Sequence, residues 1–329
     1  MTPTLVRQHV AHAAPRVDLC ARARDWSEIQ ERMLVPLYEA VHERLEVGPG
    51  TRLLGLRCGA GLALLLAAGR GAEVTGVDAA SPERLALARE RLLPGASRGA
   101  HGGAGAGSRK DGPRGESRSV ATGPGDDGGR GQGPRGESGA GAGGRTRARG
   151  ARLVGGSPRD AAGPEDSPYT LVTVFEPIGC LAGDSEGLGE LLADALPLAA
   201  RGAAVVLAGW GPPERCATSS VLRVATKLAD PLRSARSWRP ARRDDLEEVA
   251  QRAGLKPDGS GRVACPFGYA DTDSAVQGLL STGLFDAAIA ATDAKQVDKE
   301  LTEALHPYRR TDGTVWMPNV FRYLVARVP

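Results

Sequence analysis

One strand–helix–strand–helix segment constrains the fold more than any other part of the chain. The short apolar run TRLLGL at 51–56 leads through small residues into LALLLAAG at 62–69, which has the composition of a buried helix. AEVTGVD at 72–78 predicts a second strand, and SPERLALARERLL at 81–93 predicts a second helix capped by Ser81. Repeats of this kind predict a parallel sheet covered by helices.

The same pattern resumes after residue 150 and continues to the end of the chain. Strands are predicted at 151–156, 169–175, 203–209, 262–269 and 319–328, and helices at 186–198, 243–255, 273–292 and 295–305. We therefore expect an α/β fold, a Rossmann-like doubly wound sheet with helices on both faces. Ligands of such sheets bind beyond the carboxyl ends of the strands, so the first strand–loop–helix unit is where we expect the site.

Composition changes sharply between about residues 95 and 150. This window holds 20 of the 45 glycines and has no Phe, Trp or Tyr. Such a composition cannot bury enough apolar surface to offset the entropy cost of ordering, so we expect a disordered Gly/Arg-rich insertion. Arg-Gly pairs in the window leave an RNA-binding arm as an alternative, but such arms usually carry aromatics that stack on bases. A solvated insertion is the favoured interpretation.

Charge and cysteine usage narrow the classes of function. The chain has 42 Lys and Arg against 39 Asp and Glu, a balance that argues against a dedicated nucleic-acid binder. Its five cysteines are scattered without a CxxC pair, which favours free thiols in the reducing cytoplasm over disulfides or a metal site. We see neither the apolar core of a signal peptide nor the run of about 20 apolar residues that a membrane span needs. The sequence does not determine the oligomeric state.

The turn after the first predicted strand and the acid after the second one indicate a nucleoside-like ligand. Glycines such as Gly59 and Gly61 let backbone N–H groups approach a ligand at a helix N-terminus. Asp78, at the end of the second strand, can accept hydrogen bonds from both hydroxyls of a ribose. The apolar Ala79 can lie against a purine face. The alternative for Asp78 is a cap on the helix that begins after Ser81.

Other residues near these motifs have simpler interpretations. Leu64 stands where a dinucleotide-binding GxGxxG needs its third glycine, and no Tyr is followed by Lys four residues later, so a nicotinamide enzyme is disfavoured. Cys58 is interpreted as a small packing residue in preference to a nucleophile. His42, next to Glu43 on a predicted helix, is expected on a solvated face.

Further segments extend the pattern beyond the glycine turn. In chain order they are WSEIQERMLVPLYEAV, GLRCGAG, GVDAASPE, DSPYTLVTVF, RGAAVVLAGWGPPE and PYRRTDGTVWMPNVFRYLVA. In these segments the chain resembles the class I S-adenosylmethionine-dependent methyltransferases of the UbiE-like, type 11 branch, over about residues 25–94 and 151–328. The resemblance implies a helical lid at 1–50 and a mostly parallel sheet with an antiparallel last strand, formed by 51–94 and 151–329. It also implies S-adenosyl-L-methionine as cofactor and methyl transfer to a small-molecule substrate.

The resemblance carries over to particular residues of the cofactor site. Asp78 would bind the ribose, while Ser157, with Asp160 beside it, would lie near the adenine amino group. The methionine moiety would lie against the first-strand loop, at Gly55, Leu56, Cys58, Gly59 and Gly61.

The floor and the cover of the site are implied in the same way. Phe175 and Glu176 would form the floor where the sulfonium faces the substrate, although Glu176 could equally be a surface loop residue. Trp26, Gln30 and Tyr38 would cover the pocket from the lid. For the two aromatic residues of the lid, packing as apolar anchors is the alternative to contact with a ligand.

The first loop departs from the family pattern at two positions. Gly55 stands where the family usually has an acid, and Arg57 where it usually has a glycine. After the third strand an acid is also usual, and this chain has Gly156 and Ser157. Two functions therefore stay open: an active methyltransferase, and a methyltransferase-like pseudoenzyme with a regulatory or scaffolding role. No catalytic acid, base or nucleophile is assigned from the sequence.

Overall fold

A computed structural model describes residues 17–94, 150–162, 167–180, 183–185, 187–229 and 239–329. The predicted insertion at 95–150 lies outside these ranges apart from Gly150, and so do residues 1–16 of the predicted lid. The helices are α1 Leu19–Asp25, α2 Val35–Arg44, α3 Leu62–Gly69, α4 Pro82–Leu92, α5 Leu188–Ala195, α6 Thr218–Leu228, α7 Asp245–Arg252, α8 Thr272–Ser281, α9 Asp286–Ala291 and α10 Ala294–Leu305. The strands are β1 Arg52–Leu56, β2 Glu73–Val77, β3 Ala151–Val154, β4 Tyr169–Ile178, β5 Ala199–Trp210, β6 Lys256–Ala264, β7 Phe267–Tyr269, β8 Val315–Met317 and β9 Val320–Arg327.

Seven of these strands form one sheet in the order β3-β2-β1-β4-β5-β9-β6. The first five are parallel to one another, and β9 runs antiparallel between β5 and β6. The predicted α/β fold with an antiparallel last strand is therefore confirmed. The chain leaves β1 for β2 on one side and returns to β4 on the other, so the switch in strand order falls between β1 and β4.

The two faces of the sheet carry separate apolar layers. Successive residues of a strand point to opposite faces, and in β1 Leu53 packs on one side while Leu54 packs on the other. The first layer is completed by α2, α3, α6 and α8 to α10, and the second by α5 and α7. Each fully buried leucine of this kind contributes about 2 kcal/mol to folding before entropy costs.

The first crossover from β1 to β2 has the geometry that its sequence predicts. Gly61 is the N-cap of α3 with φ 78, and a Cβ added there would lie 2.9 Å from the Cβ of Ala88 on α4. A glycine is therefore needed for the turn and for the close approach of α4. Ser81 caps α4 as predicted, because its hydroxyl accepts the backbone N–H of Arg84 at 3.3 Å.

The carboxyl-terminal third differs from the prediction in several places. The strand predicted at 262–269 is two strands, because Pro266 has no N–H for a ladder and the N–H of Cys265 bonds to the carbonyl of Asn319. β6 also begins earlier than predicted, in the polar run KPDGSG, while β7 pairs with β8 as a separate hairpin. The helix predicted at 273–292 is broken into α8 and α9 where the Thr282 hydroxyl bonds back to the carbonyl of Leu279. The elements α6 and β8 are not predicted.

The segment before β1 folds across the carboxyl ends of the strands, and residues 17–45 are called the lid segment below. It consists of α1, two short helical turns over Trp26–Gln30 and Glu31–Leu34, and α2. Arg22 donates to Asp286 at 2.7 Å and Gln277 donates to Asp25 at 2.8 Å, which fastens α1 to α8 and α9. Within the described ranges, every helix is too short or too polar to serve as a membrane span.

Candidate functional site

A cavity of about 350 Å³ lies under the lid segment at the carboxyl ends of β1, β2 and β4. This is the edge of the sheet where the switch in strand order falls, as expected for a ligand site of a doubly wound sheet. Most of the sequence-predicted site residues line it: Trp26, Gln30, Tyr38, Gly55, Leu56, Cys58, Gly59, Asp78, Phe175 and Glu176.

Three sequence-predicted site residues are placed elsewhere. Gly61 faces α4, as described above, and Ala79 is exposed beside the cavity, where the neighbouring Ala80 contributes to the lining. The hydroxyl of Ser157 donates to Asp194 at 2.7 Å, and its backbone N–H is accepted by Asp160 at 2.9 Å. Ser157 and Asp160 thus form the cap of the short helix Pro158–Ala161.

Asp78 joins the first loop to the second. Its Oδ2 accepts the N–H of Gly59 at 2.9 Å, and its Oδ1 accepts the N–H groups of Ala80 at 2.9 Å and Ser81 at 3.3 Å. The residue is only 7% exposed. A carboxylate offers about four acceptor positions, so these three bonds leave about one, on Oδ2, for a ligand.

The turn at Gly59 is covered by the indole of Trp26. Gly59 has φ 57, and a Cβ added there would lie 2.6 Å from Cη2 of Trp26. The guanidinium of Arg84 lies over the same indole at 4.1 Å from the ring centroid, a cation–π distance. Trp26 therefore bridges the glycine loop and α4, and any larger residue at position 59 would displace it.

A buried ion pair, Glu31 with Arg91, fastens the lid segment to the loop and is called the inner pair below. Arg91 Nη1 lies 2.5 Å from Glu31 Oε2, and Glu31 is only 2% exposed. Glu31 Oε1 accepts the N–H of Leu62 at 3.2 Å, at the positive end of α3. Arg91 also donates to the carbonyls of Ala60 and Ser27. Burial raises the pKa of Glu31 more than Arg91 lowers it, so the cost of desolvation exceeds the gain from pairing.

A second ion pair, Arg57 with Glu176, spans the switch point and is called the outer pair below. Arg57 Nη1 lies 3.2 Å from Glu176 Oε2. The side chains are 23% and 52% exposed, so this pair is in contact with solvent. Arg57 has φ 49, a left-handed conformation that is rare for a residue other than glycine. Its guanidinium points across the mouth of the cavity from the end of β1 to β4.

The side chain of Leu64 occupies the space that an acidic side chain at position 55 would need. A Cβ added to Gly55 would lie 2.9 Å from Cδ2 of Leu64, and one added to Gly76 would lie 2.6 Å from Cδ1 of the same side chain. Leu64 thus fills the space beside both glycines of the paired strands β1 and β2. An acid at position 55 would require Leu64 to move.

The end of the cavity away from the glycine loop is aromatic. Trp210 packs on Phe321 with ring centroids 4.6 Å apart, and Phe267 lies 6.0 Å from Phe321. Tyr38 of the lid segment packs on Phe175 of β4, with ring centroids 4.9 Å apart. Burial raises the pKa of Tyr38 well above its usual value, so its hydroxyl stays protonated at neutral pH.

Two thiols and one imidazole near the cavity are neutral. Cys58 and Cys180 line it, and burial raises the pKa of both thiols, which disfavours the thiolate that a nucleophile needs. The expectation that His42 lies on a solvated face is wrong, because α2 turns it into the core, edge-on to Phe175 at 5.8 Å. Burial, with Arg70 as a lesser cause, lowers the pKa of His42 to about 4. In the described part of the chain, no three His, Cys, Asp or Glu side chains are grouped to hold a metal ion.

The inner pair and His42 are the features that sequence reasoning missed. Glu31 and Arg91 are 60 residues apart, and neither belongs to a motif. The helical spacing of α4 could have indicated that Arg91 is partly buried, because it falls on the same side as the buried Ala88 and Leu92.

No protein-family model matches the chain, and no curated protein matches it. Among solved structures, it is similar to a SAM-dependent methyltransferase of Geobacter sulfurreducens in complex with S-adenosyl-L-homocysteine (14% identity over 96% of this chain and 100% of that chain, TM-score 0.45). It is also similar to YjhP of E. coli (16% identity, 94% and 99%, TM-score 0.44) and to the 4+2 cyclase SpnF (14% identity, 89% and 80%, TM-score 0.44).

Proposed function

We propose that the chain binds S-adenosyl-L-methionine in the cavity and transfers its methyl group to a small-molecule acceptor. The observation that carries the proposal is that a cavity, a glycine turn and a strand-end carboxylate lie together at the switch point of the sheet. The resemblance of the sequence to class I methyltransferases supports the choice of cofactor. When bound, this cofactor supplies an electrophilic methyl group on a sulfonium.

The residues of the cavity fit such a ligand. Asp78 keeps about one acceptor position on Oδ2 for a ribose hydroxyl. Tyr38 and Phe175 line the cavity with aromatic rings, which suit a cation such as a sulfonium. Trp26 and Gln30 cover the cavity from the lid segment and would exclude water from it.

The acceptor would occupy the aromatic end of the cavity. Trp210, Phe267 and Phe321 provide an apolar wall, which suits an acceptor with an apolar or planar group. Methyl transfer in line with the sulfonium depends mainly on holding two reactants in position. The chain therefore needs no conspicuous acid–base pair, and the protonated Tyr38 and Cys58 do not supply one.

A pseudoenzyme is the second candidate, and two observations favour it. Trp26 lies directly on Gly59, and the carboxylate of Asp78 is largely used by backbone N–H groups. In this alternative the loop and lid segment stabilise each other, and the fold serves a regulatory or scaffolding role with weak or no cofactor binding.

Calorimetry on the full chain with S-adenosylmethionine and S-adenosylhomocysteine separates the two candidates. The methyltransferase proposal predicts micromolar binding that is lost in Asp78→Ala. The matched control is Asp160→Ala, which removes a carboxylate that caps a short helix outside the cavity. Thermal melting verifies that both variants are folded.

Two outcomes would contradict the proposal. Absence of heat at millimolar concentrations of both ligands would favour the pseudoenzyme. Equal loss of binding in Asp160→Ala and Asp78→Ala would place the ligand elsewhere.

A further inference from the structure

We propose that Gln30 selects the ligand at the aromatic end of the cavity by donating its amide N–H groups to an oxygen atom of that ligand, and that Tyr269 holds the amide in position. The inference rests on the proposed function in that the ligand is taken to be the methyl acceptor. The acceptor is then a molecule that carries an oxygen with free lone pairs beside its apolar part.

The first step is the amide group of Gln30, which is buried and only half used. Gln30 lines the cavity and is 8% exposed. Its Oε1 accepts a hydrogen bond from the hydroxyl of Tyr269 at 3.1 Å, whereas its Nε2 has no hydrogen-bond partner among the described residues. An amide nitrogen carries two N–H groups, and a buried donor that stays unpaired is costly. An oxygen atom of a ligand in the cavity would satisfy them.

The second step is the orientation of that amide. Tyr269 is buried behind Gln30 and does not itself line the cavity. Burial raises the pKa of Tyr269, so its hydroxyl stays protonated and donates to Oε1. A Cβ added to Gly278 of α8 would lie 3.0 Å from the Tyr269 ring and 3.4 Å from Oε1, so the bond is closely packed. Because Oε1 is held against Tyr269, Nε2 lies on the side of the amide away from it.

The third step is the position of the amide relative to the aromatic end. Phe267 and Tyr269 are alternate residues of β7, and both are buried while Gly268 between them is partly exposed. They therefore face the same side of the hairpin. Phe267 lines the cavity beside Trp210, with ring centroids 6.1 Å apart. Gln30 thus meets a ligand on the β7 side of the cavity, next to the apolar wall.

The fourth step is the contrast between Gln30 and the next residue of the lid segment. Glu31 uses both carboxylate oxygens within the protein, on Arg91 and on the N–H of Leu62. Fastening the lid segment to β7 needs only Oε1 of Gln30, which leaves Nε2 for another purpose. Gln30 also ends the π-helical turn Trp26–Gln30, a rare kind of turn that often occurs at functional sites.

The test is an NMR chemical-shift titration of the full chain with two pairs of bicyclic probes. 1-Indanone differs from indane by a carbonyl oxygen, which only accepts hydrogen bonds, and indole differs from indene by an N–H group, which only donates. Wild-type protein should bind 1-indanone about three- to tenfold more tightly than indane, the range expected for one hydrogen bond between neutral groups. It should bind indole no more tightly than indene.

The variants separate the donor from the residue that positions it. Gln30→Leu should remove the preference for 1-indanone over indane, while indane still binds. Tyr269→Phe should lower the preference to about twofold or less, because Oε1 is no longer held, whereas a merely structural effect would weaken both probes alike. The matched control is Gln277→Leu, which removes an amide that joins α8 to Asp25 outside the cavity lining, and should leave the preference unchanged. Thermal melting verifies that all variants are folded.

The possible failures are distinct. Equal binding of 1-indanone and indane by the wild type, a preference that survives in Gln30→Leu, or no binding of any probe would overturn the inference. Tighter binding of indole than of indene would also overturn it, because Gln30 would then present its oxygen to the ligand. A preference that depends on Gln30 in a protein that does not bind S-adenosylhomocysteine would refute the proposed function, while Gln30 still selects the ligand of the cavity.

Discussion

The inner and outer pairs join the same kinds of group, and the acid of each pair lines the cavity, yet their surroundings differ. Glu31 and Arg91 are 2.5 Å apart, with Glu31 2% exposed, and their remaining bonds go to the loop and the lid segment. Arg57 and Glu176 are 3.2 Å apart and open to solvent. A buried pair is costly to break and an exposed one is cheap to exchange. The inner pair therefore suits a structural role, whereas the outer pair lies where solvent can reach it.

Replacement of Arg91 tests the structural role of the inner pair and should have the largest effect. Replacing it as Arg91→Met leaves the Glu31 carboxylate buried without its partner, which should lower the free energy of unfolding by about 3–5 kcal/mol at neutral pH. Loss of Arg91 removes a cause that lowers the pKa of Glu31, so the carboxyl takes up a proton more readily. The deficit should therefore shrink as the pH falls, since the protonated carboxyl is neutral. Urea unfolding at several pH values measures both effects.

The control for that prediction is the double variant Arg91→Met with Glu31→Gln. A glutamine oxygen can still accept the N–H of Leu62, and no buried charge is left. We expect the double variant to recover most of the lost stability. A double variant as unstable as the single one would show that the bonds of Arg91 to Ala60 and Ser27, and not the charge of Glu31, dominate.

The buried imidazole of His42 extends the comparison. Both of its ring nitrogens are buried and have no hydrogen-bond partner among the described residues, and its pKa is lowered from 6.5 to about 4. The unfolded chain therefore binds a proton between these values that the folded chain does not. Stability should fall as the pH drops through this window, by about 3 kcal/mol from this group once pH 4 is reached.

His42→Leu isolates that contribution, because leucine fills a similar apolar site and does not titrate. Urea unfolding of the two proteins should show stability curves that diverge below pH 6.5, with the wild type losing more. Parallel curves would mean that His42 finds a partner or water when it is charged.

The smallest expected effect is on the outer pair. Arg57→Gly loses an exposed ion pair worth about 0–1 kcal/mol and relieves backbone strain of about 1 kcal/mol. The melting temperature should stay equal or rise slightly. Glu46→Gly is the matched control for strain alone, because Glu46 has φ 50 and lies outside the cavity lining. A clear drop in melting temperature for Arg57→Gly, but not for the control, would make the outer pair structural.

The first half of the fold could be predicted because each element carries its own local signal. α3 has the predicted bounds, and Ser81 caps α4 as expected, since apolar runs and capping residues act within a few positions of one another. The first part of β6, residues 256–261, carries no such signal, because it belongs to an exposed edge strand whose residues pair with β9 but bury little. The amphipathic α6, with Val221, Leu222 and Val224 buried, carried a helical signal that the prediction did not use.

The position of the site could be predicted from the sequence, but most of the hydrogen bonds, ion pairs and packing contacts within it could not. The switch-point rule and the glycine turn place Gly59 and Asp78 at the cavity. Which groups are already used inside the protein depends on contacts between distant segments, such as Glu31 with Arg91 or Trp26 with Gly59. The spacing of residues along the chain does not encode these contacts.

The direction of β3 has a consequence for the long stretch that precedes it. β3 is parallel to β2, and Ala151 pairs with Val74 near the start of that strand, so Gly150 sits at the amino-terminal edge of the sheet. α4 ends two residues before Pro94, the last described residue before the stretch. The cavity lies at the opposite, carboxyl-terminal edge. A change of chain length next to Gly150 therefore meets the sheet at the edge away from the pocket, whereas a change next to Pro94 falls three residues after Arg91, which bonds to Glu31 in the cavity lining.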